Sequence, residues 1–136
     1  MKASLSIAYR LFWPCALSSV ITYASSRTGL QGGFLVSIPF FDKIAHFFLF
    51  GLLATLLYRF RGPQNLDIKR ACLAVAATTV FGISDECHQF LRPDRYFELA
   101  DILADFSGSV VAVLVYRSWR TYRSVLEYDL VRIKFA

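Results

Sequence analysis

Charge is scarce in this sequence. Of 136 residues only 18% are Asp, Glu, Lys or Arg, while 56% are hydrophobic and 16% aromatic. Ordinary soluble domains run at roughly 45–50% apolar and about 25% charged. A soluble globule of this length could not hide so much apolar side chain, because small domains keep much of their surface in water. Cysteine is equally sparse. Cys15, Cys72 and Cys87 are odd in number and form no CxxC, which excludes a disulfide scaffold and gives no sign of a zinc knuckle. Internal repeats and low-complexity tracts are missing, and so much apolar content excludes disorder and collagen-like structure. What remains is a small polytopic membrane protein with a single domain over residues 1–136.

Four apolar stretches reach the roughly 17–25 residues that a transmembrane helix needs. They run over about Ser4–Ala24, Asp42–Phe60, Asp67–Leu91 and Glu98–Tyr116, which predicts an all-α bundle of about four transmembrane helices. The first contains Arg10, placed to reach the headgroups, and the bulky pair Trp13-Pro14, and neither suits a cleaved signal peptide. Gly29, Gly32, Gly33 and Pro39 break a linker over Ser25–Pro39. Residues Arg61-Gly62-Pro63-Gln64-Asn65 read as a tight polar turn, and Pro93 stops the third helix. The tail Arg117–Ala136 reads as an interfacial amphipathic segment.

The net charge of +5 is scattered between the apolar stretches, not gathered on a run, so no nucleic acid is expected. Eleven of the fifteen Lys and Arg fall on one side of the expected bundle; Arg27, Lys43, Arg92 and Arg95 fall on the other. By the positive-inside rule both termini are cytoplasmic, and the scale and pattern fit a multi-pass protein of a bacterial inner membrane. The acidic residues invert this bias. Asp42, Asp85, Glu86, Asp94, Glu98, Asp101 and Asp105 collect at the outer helix ends with His46 and His88.

Ionisable groups inside a span are expensive and ask for a functional explanation. Asp42 and His46 are four apart and share a helix face, as do Asp85 and Gln89, while Asp101, Asp105 and Gly108 follow at i, i+4, i+7. Three helices therefore direct carboxylates toward one outer-leaflet cavity, with Arg92 and Arg95 over its mouth. The Asp42-Lys43-x-x-His46 and Asp85-Glu86-x-x-Gln89 pairs, then Arg95, then Asp101 followed by Gly108, resemble the VanZ-like family of small membrane proteins. Tyr23-Ala-Ser-Ser is similar to the end of that family's first helix, and the likeness covers roughly residues 20–115. It implies a bundle of about four or five helices and a link to resistance to the glycopeptide teicoplanin, and it brings no known reaction. Asp105 departs from the family pattern, in which Asn is usual.

Each candidate also has a plainer reading. Asp42 can simply cap its helix; His46 can be a neutral buried histidine bonded to a carboxylate. Of Asp85 and Glu86, which splay about 100° apart, one can face the cavity while the other pairs with Arg92 or Arg95. Two functions survive. In the first, Asp42, Lys43, Gln89, Arg95, Asp101 and Asp105 bind an amphipathic envelope ligand, a lipid or a lipoglycopeptide. In the second, Asp85 or Glu86 acts as acid or base with His46 on such a molecule, since crowding carboxylates is one way a general acid is made. A proton-coupled transporter fits less well, because the inner halves of the spans lack a relay of ionisable residues. Mixed ligands from His46, Asp85, Glu86 and Asp101 would suit zinc or manganese. No HExxH or CxxC spacing supports them, so neither a metal nor a cofactor is expected. Membrane lipid is the expected surrounding, and the sequence does not fix an oligomeric state.

Overall fold

A computed structural model describes residues 2–26, 40–61, 67–93 and 95–132. Five α-helices follow in order: α1 (Lys2–Ser25), α2 (Phe41–Tyr58), α3 (Ile68–Phe90), α4 (Leu99–Ser118) and α5 (Arg120–Arg132), with a 3-10 turn over Arg59–Arg61 after α2. Among the described residues there is no strand. The linker over 27–39, the polar turn over 62–66, Asp94 and the end of the tail at 133–136 lie outside them.

The helix ends have local causes. Asp67 precedes α3 in extended conformation, and its side chain accepts from Lys69 N at 3.3 Å, satisfying one of the free amides of the first turn. Asp42 does not cap α2. It sits inside the first turn, after the N-cap residue Phe40, where a carboxylate still meets the positive end of the helix dipole. α1 runs through Pro14, and the Ser18 hydroxyl donates to the Pro14 carbonyl at 2.8 Å.

α2 and α4 form the most extensive interface, because small residues let their backbones meet. A Cβ on Gly51 would stand 2.9 Å from the Gly108 carbonyl oxygen and 3.1 Å from Ala112 Cβ. At Gly108 the Phe47 carbonyl occupies the space a Cβ would need. The Ser109 hydroxyl donates to the Asp105 carbonyl at 2.7 Å and lies 3.4 Å from the Phe50 carbonyl. This crossing sets the first turns of α4 against those of α2. α3 packs on both, through a strip at helical spacing: Ala71, Ala74, Thr78, Gly82, Asp85 and Gln89.

The interior is unusually polar and the exterior unusually apolar. Thr55, Thr78, Asp85, Glu86, Gln89, Asp101, Asp105 and Ser109 are buried, whereas Phe48, Leu73, Val80, Leu103 and Leu114 are exposed. In water the opposite sorting is the rule. α2 and α4 are long and apolar enough to cross a membrane. α1 and α3, at 24 and 23 residues, have the length without the same apolarity, since α3 gives its inner strip to threonine and carboxylates.

One end of the bundle is basic. Arg10, expected to reach toward headgroups, instead donates to the Arg59 carbonyl at 3.0 Å. Arg59 Nε lies 3.0 Å from Glu127 Oε1, to which the Tyr116 hydroxyl also donates at 2.9 Å. Arg123 donates to the carbonyls of Tyr116 and Arg117 at the end of α4. The tail is thus helical, and it is docked on the bundle through Glu127.

Candidate functional site

The opposite end holds the acidic cluster. Lys43, on the first turn of α2, projects between three carboxylates, with Nζ 2.7 Å from Asp42, 2.7 Å from Glu98 and 2.8 Å from Asp101. It closes the gap between α2 and α4 at their ends and is committed to that role. One turn deeper, His46 Nδ1 lies 2.9 Å from Asp105 Oδ1, and the ring stacks on Phe50 at 5.5 Å between centroids. The carboxylate that His46 meets is Asp105 across the interface. Asp42, its neighbour on the same face of α2, is held by Lys43. Asp105 is fully buried, and its second oxygen, Oδ2, has no hydrogen-bond partner among the described residues. Gly82 of α3 makes the room: a Cβ there would run into that oxygen.

α3 supplies the next pair. Asp85 and Gln89 bond along the helix, Gln89 Nε2 donating to Asp85 Oδ2 at 3.0 Å, and the Ser25 hydroxyl at the end of α1 donates to Asp85 Oδ1 at 2.7 Å. Asp85 therefore ties α1 to α3. Glu86 points toward α4, where its Oε2 accepts the Glu98 backbone amide at 3.0 Å, and its Oε1 is buried without a hydrogen-bond partner among the described residues. Neither carboxylate makes an ion pair with an arginine among the described residues, contrary to the expected pairing with Arg92 or Arg95. Arg92 donates instead to the Ser26 carbonyl, fastening the loop after α3 to the end of α1. Arg95 is half-buried, and its Nε is buried with no hydrogen-bond partner among the described residues. His88 and Cys87 face outward, away from the cluster.

His46, Glu86, Asp101 and Asp105 thus come together from three helices, with Lys43 at the rim. Asp85 and Gln89 form an adjoining pair, Asp42 and Glu98 lie outside on the Lys43 ammonium, and Asp94 is outside the described residues. Among the described residues, six carboxylates against Lys43, Arg92 and Arg95 leave this end with an excess of three formal negative charges. Ser25 falls in the Tyr23-Ala-Ser-Ser stretch noted in the sequence, where no partner was assigned to it. Gly82 was not singled out, although it stands three residues before Asp85 and seven before Gln89, so helical spacing alone places it on their face.

The chain matches the VanZ/LLP1 family over residues 5–120. It belongs to that family. Comparison with curated proteins and with solved structures finds no match in either. The matched span contains every residue of the acidic cluster and stops at the start of α5.

Proposed function

We propose that this VanZ/LLP1 member is a multi-pass protein of the bacterial inner membrane that binds an amphipathic cell-envelope ligand at its acidic end. α1–α4 cross the bilayer, both termini are cytoplasmic, and the chain acts as one domain. The observation that carries the reading is the inverted sorting of side chains. Buried carboxylates from α3 and α4 gather with His46 at one end of a bundle whose exterior is Phe, Leu and Val. Such an exterior is at home in lipid, and ionisable groups inside a bundle mark function by default. Arginines at the other end fit a cytoplasmic face. The half-buried Arg95, with an unpartnered Nε, is the group offered to a phosphate or carboxylate head. The link between this family and teicoplanin makes a lipoglycopeptide, or the lipid-linked material it attacks, the ligand class to test.

The test is drug susceptibility of cells carrying Glu86→Gln, Asp85→Asn or Arg95→Gln, with membrane insertion checked by blotting. Loss of protection in all three supports the reading; wild-type susceptibility in all three overturns it. Topology is tested separately with Tyr96→Cys and Val125→Cys, both at exposed positions, in a cysteine-free background. An impermeant maleimide should label only the first in intact cells. One observation favours catalysis as a second reading: Asp105 bonds His46 as an orienting carboxylate bonds a general base. Mass spectrometry of envelope lipids incubated with purified protein separates the two, since only an enzyme leaves a new product.

A further inference from the structure

Glu86 is 1% exposed, yet no cationic side chain among the described residues lies within ion-pair distance of it. One oxygen has a backbone amide, and the other, Oε1, has no hydrogen-bond partner among the described residues. A carboxylate removed from water is tolerated when it is paired, hydrogen-bonded on both oxygens or bound to a metal. The surroundings of this carboxylate point to the last. Ligand atoms of His46, Glu86 and Asp101 all lie within 4.8 Å of one another, and each residue comes from a different helix. Ligands about 2.1 Å from a shared ion stand roughly 3.4 Å apart at tetrahedral angles, so the three side chains close on the ion by about an ångström when it binds.

The hydrogen bonding agrees with this chemistry. With Nδ1–H donated to Asp105, His46 keeps a free lone pair on Nε2, and a carboxylate behind a ligating histidine is the usual support for a metal. Lys43 takes only Oδ1 of Asp101, leaving the other oxygen. A second trio, Asp42, Glu98 and Asp101, has comparable spacing. Its centre is already filled by the Lys43 ammonium, so it has no need of an ion.

We propose that His46 Nε2, Glu86 Oε1 and an oxygen of Asp101 bind one divalent transition cation, with Asp105 positioning the histidine. One nitrogen with two carboxylate oxygens suits zinc or manganese better than calcium. Three protein ligands leave a coordination position for water or for an anionic group. The site does not depend on the envelope-ligand reading and would exist if that reading failed.

Full-length protein purified in detergent and stripped with EDTA is titrated with Mn2+, free ion being followed by electron paramagnetic resonance, with Zn2+ as competitor. A single Mn2+ per chain, displaced by Zn2+, is expected for the wild type. His46→Ala and Glu86→Gln should each weaken binding at least about tenfold, while Asp42→Asn binds as the wild type does. His46→Gln serves in place of His46→Ala if circular dichroism shows the alanine variant unfolded. Failure of folded wild type to bind either ion overturns the proposal. So does undiminished binding by folded His46 and Glu86 variants, or binding lost in Asp42→Asn and kept in the His46 variant.

Discussion

His46 Nδ1 and Asp105 Oδ1 stand 2.9 Å apart, although 59 positions separate them in the chain. The bond crosses the closest helix interface of the bundle, and its acceptor is a fully buried carboxylate. An Asn carbonyl can accept the same proton, so Asp105→Asn should keep the bundle folded. The bond then falls from a charge-assisted to a neutral one, a change of about 1 kcal/mol. What should change more is the proposed ion site, because a weaker partner makes His46 a poorer ligand. We expect Mn2+ affinity to fall about 10–100-fold with the unfolding midpoint nearly unmoved. A variant that unfolds, or binds the ion as tightly as wild type, would show that Asp105 is purely structural.

Gly108 and Gly82 should fail in different ways when given a methyl group. At Gly108 the obstruction is the backbone of Phe47, which cannot step aside without separating α2 from α4. Gly108→Ala should therefore destabilise the whole bundle, by at least the roughly 1–3 kcal/mol of an overpacked core. At Gly82 the obstruction is the Asp105 side chain, with Phe50 Cε1 at 3.2 Å. A side chain can rotate, and doing so breaks the bond to His46. Gly82→Ala should keep helicity and lose the site. Unfolding in detergent, followed by circular dichroism beside Mn2+ titration, distinguishes the two; equal loss of stability in both would refute the distinction.

Much of this was legible in the sequence because long apolar helices leave strong marks. Apolar runs gave the four long helices to within a few residues, and i, i+4 spacing put Asp85 and Gln89 on one face, where the structure shows them bonded. Partners across helices were harder, since spacing fixes the face a residue occupies but not what faces it. Thus Asp42 and His46 share a face yet take different partners, Lys43 and Asp105. Arginines next to acids in sequence invited pairings that the backbone pre-empts: Arg92 is drawn to the Ser26 carbonyl, and Glu86 to the Glu98 amide. The docking of α5 was the least visible. It rests on Arg59 and Glu127, which are ordinary charges until the fold brings them together.

Lys43 adds to the α2–α4 contact through one ammonium shared by three carboxylates, so both its charge and its shape matter. Replacing it with Met leaves Asp42, Glu98 and Asp101 facing one another without compensation. Lys43 is 23% exposed and Asp101 10%. The cost should therefore fall between the ~1 kcal/mol of an exposed pair and the ~3–5 kcal/mol of breaking a buried one. Because the damage is repulsion at a partly exposed site, added salt should recover some of it. Lys43→Arg should restore little, since a planar guanidinium cannot occupy the centre of three carboxylates as an ammonium does. Thermal unfolding of both variants at low and high NaCl provides the measurement. A Met variant as stable as wild type at low salt would contradict this role.

Glu127 accepts from both Arg59 and Tyr116 through one oxygen, so α5 is latched to α2 and α4 together. Arg59 and Glu127 are 12% and 14% exposed, dry enough for the pair to be coupled by about 1–3 kcal/mol in a double-mutant cycle. Arg59→Ala and Glu127→Ala should each release α5, and the double variant should be little worse than either single one. Hydrogen exchange over residues 120–132 reads that release directly, as a loss of protection confined to α5. The acidic cluster lies at the other end of α2 and α4 and shares no partner with the latch, so Mn2+ binding should be unchanged. If freeing α5 also weakened the ion, the two ends would be coupled through the α2–α4 contact, and α5 would belong to the working machinery of the bundle.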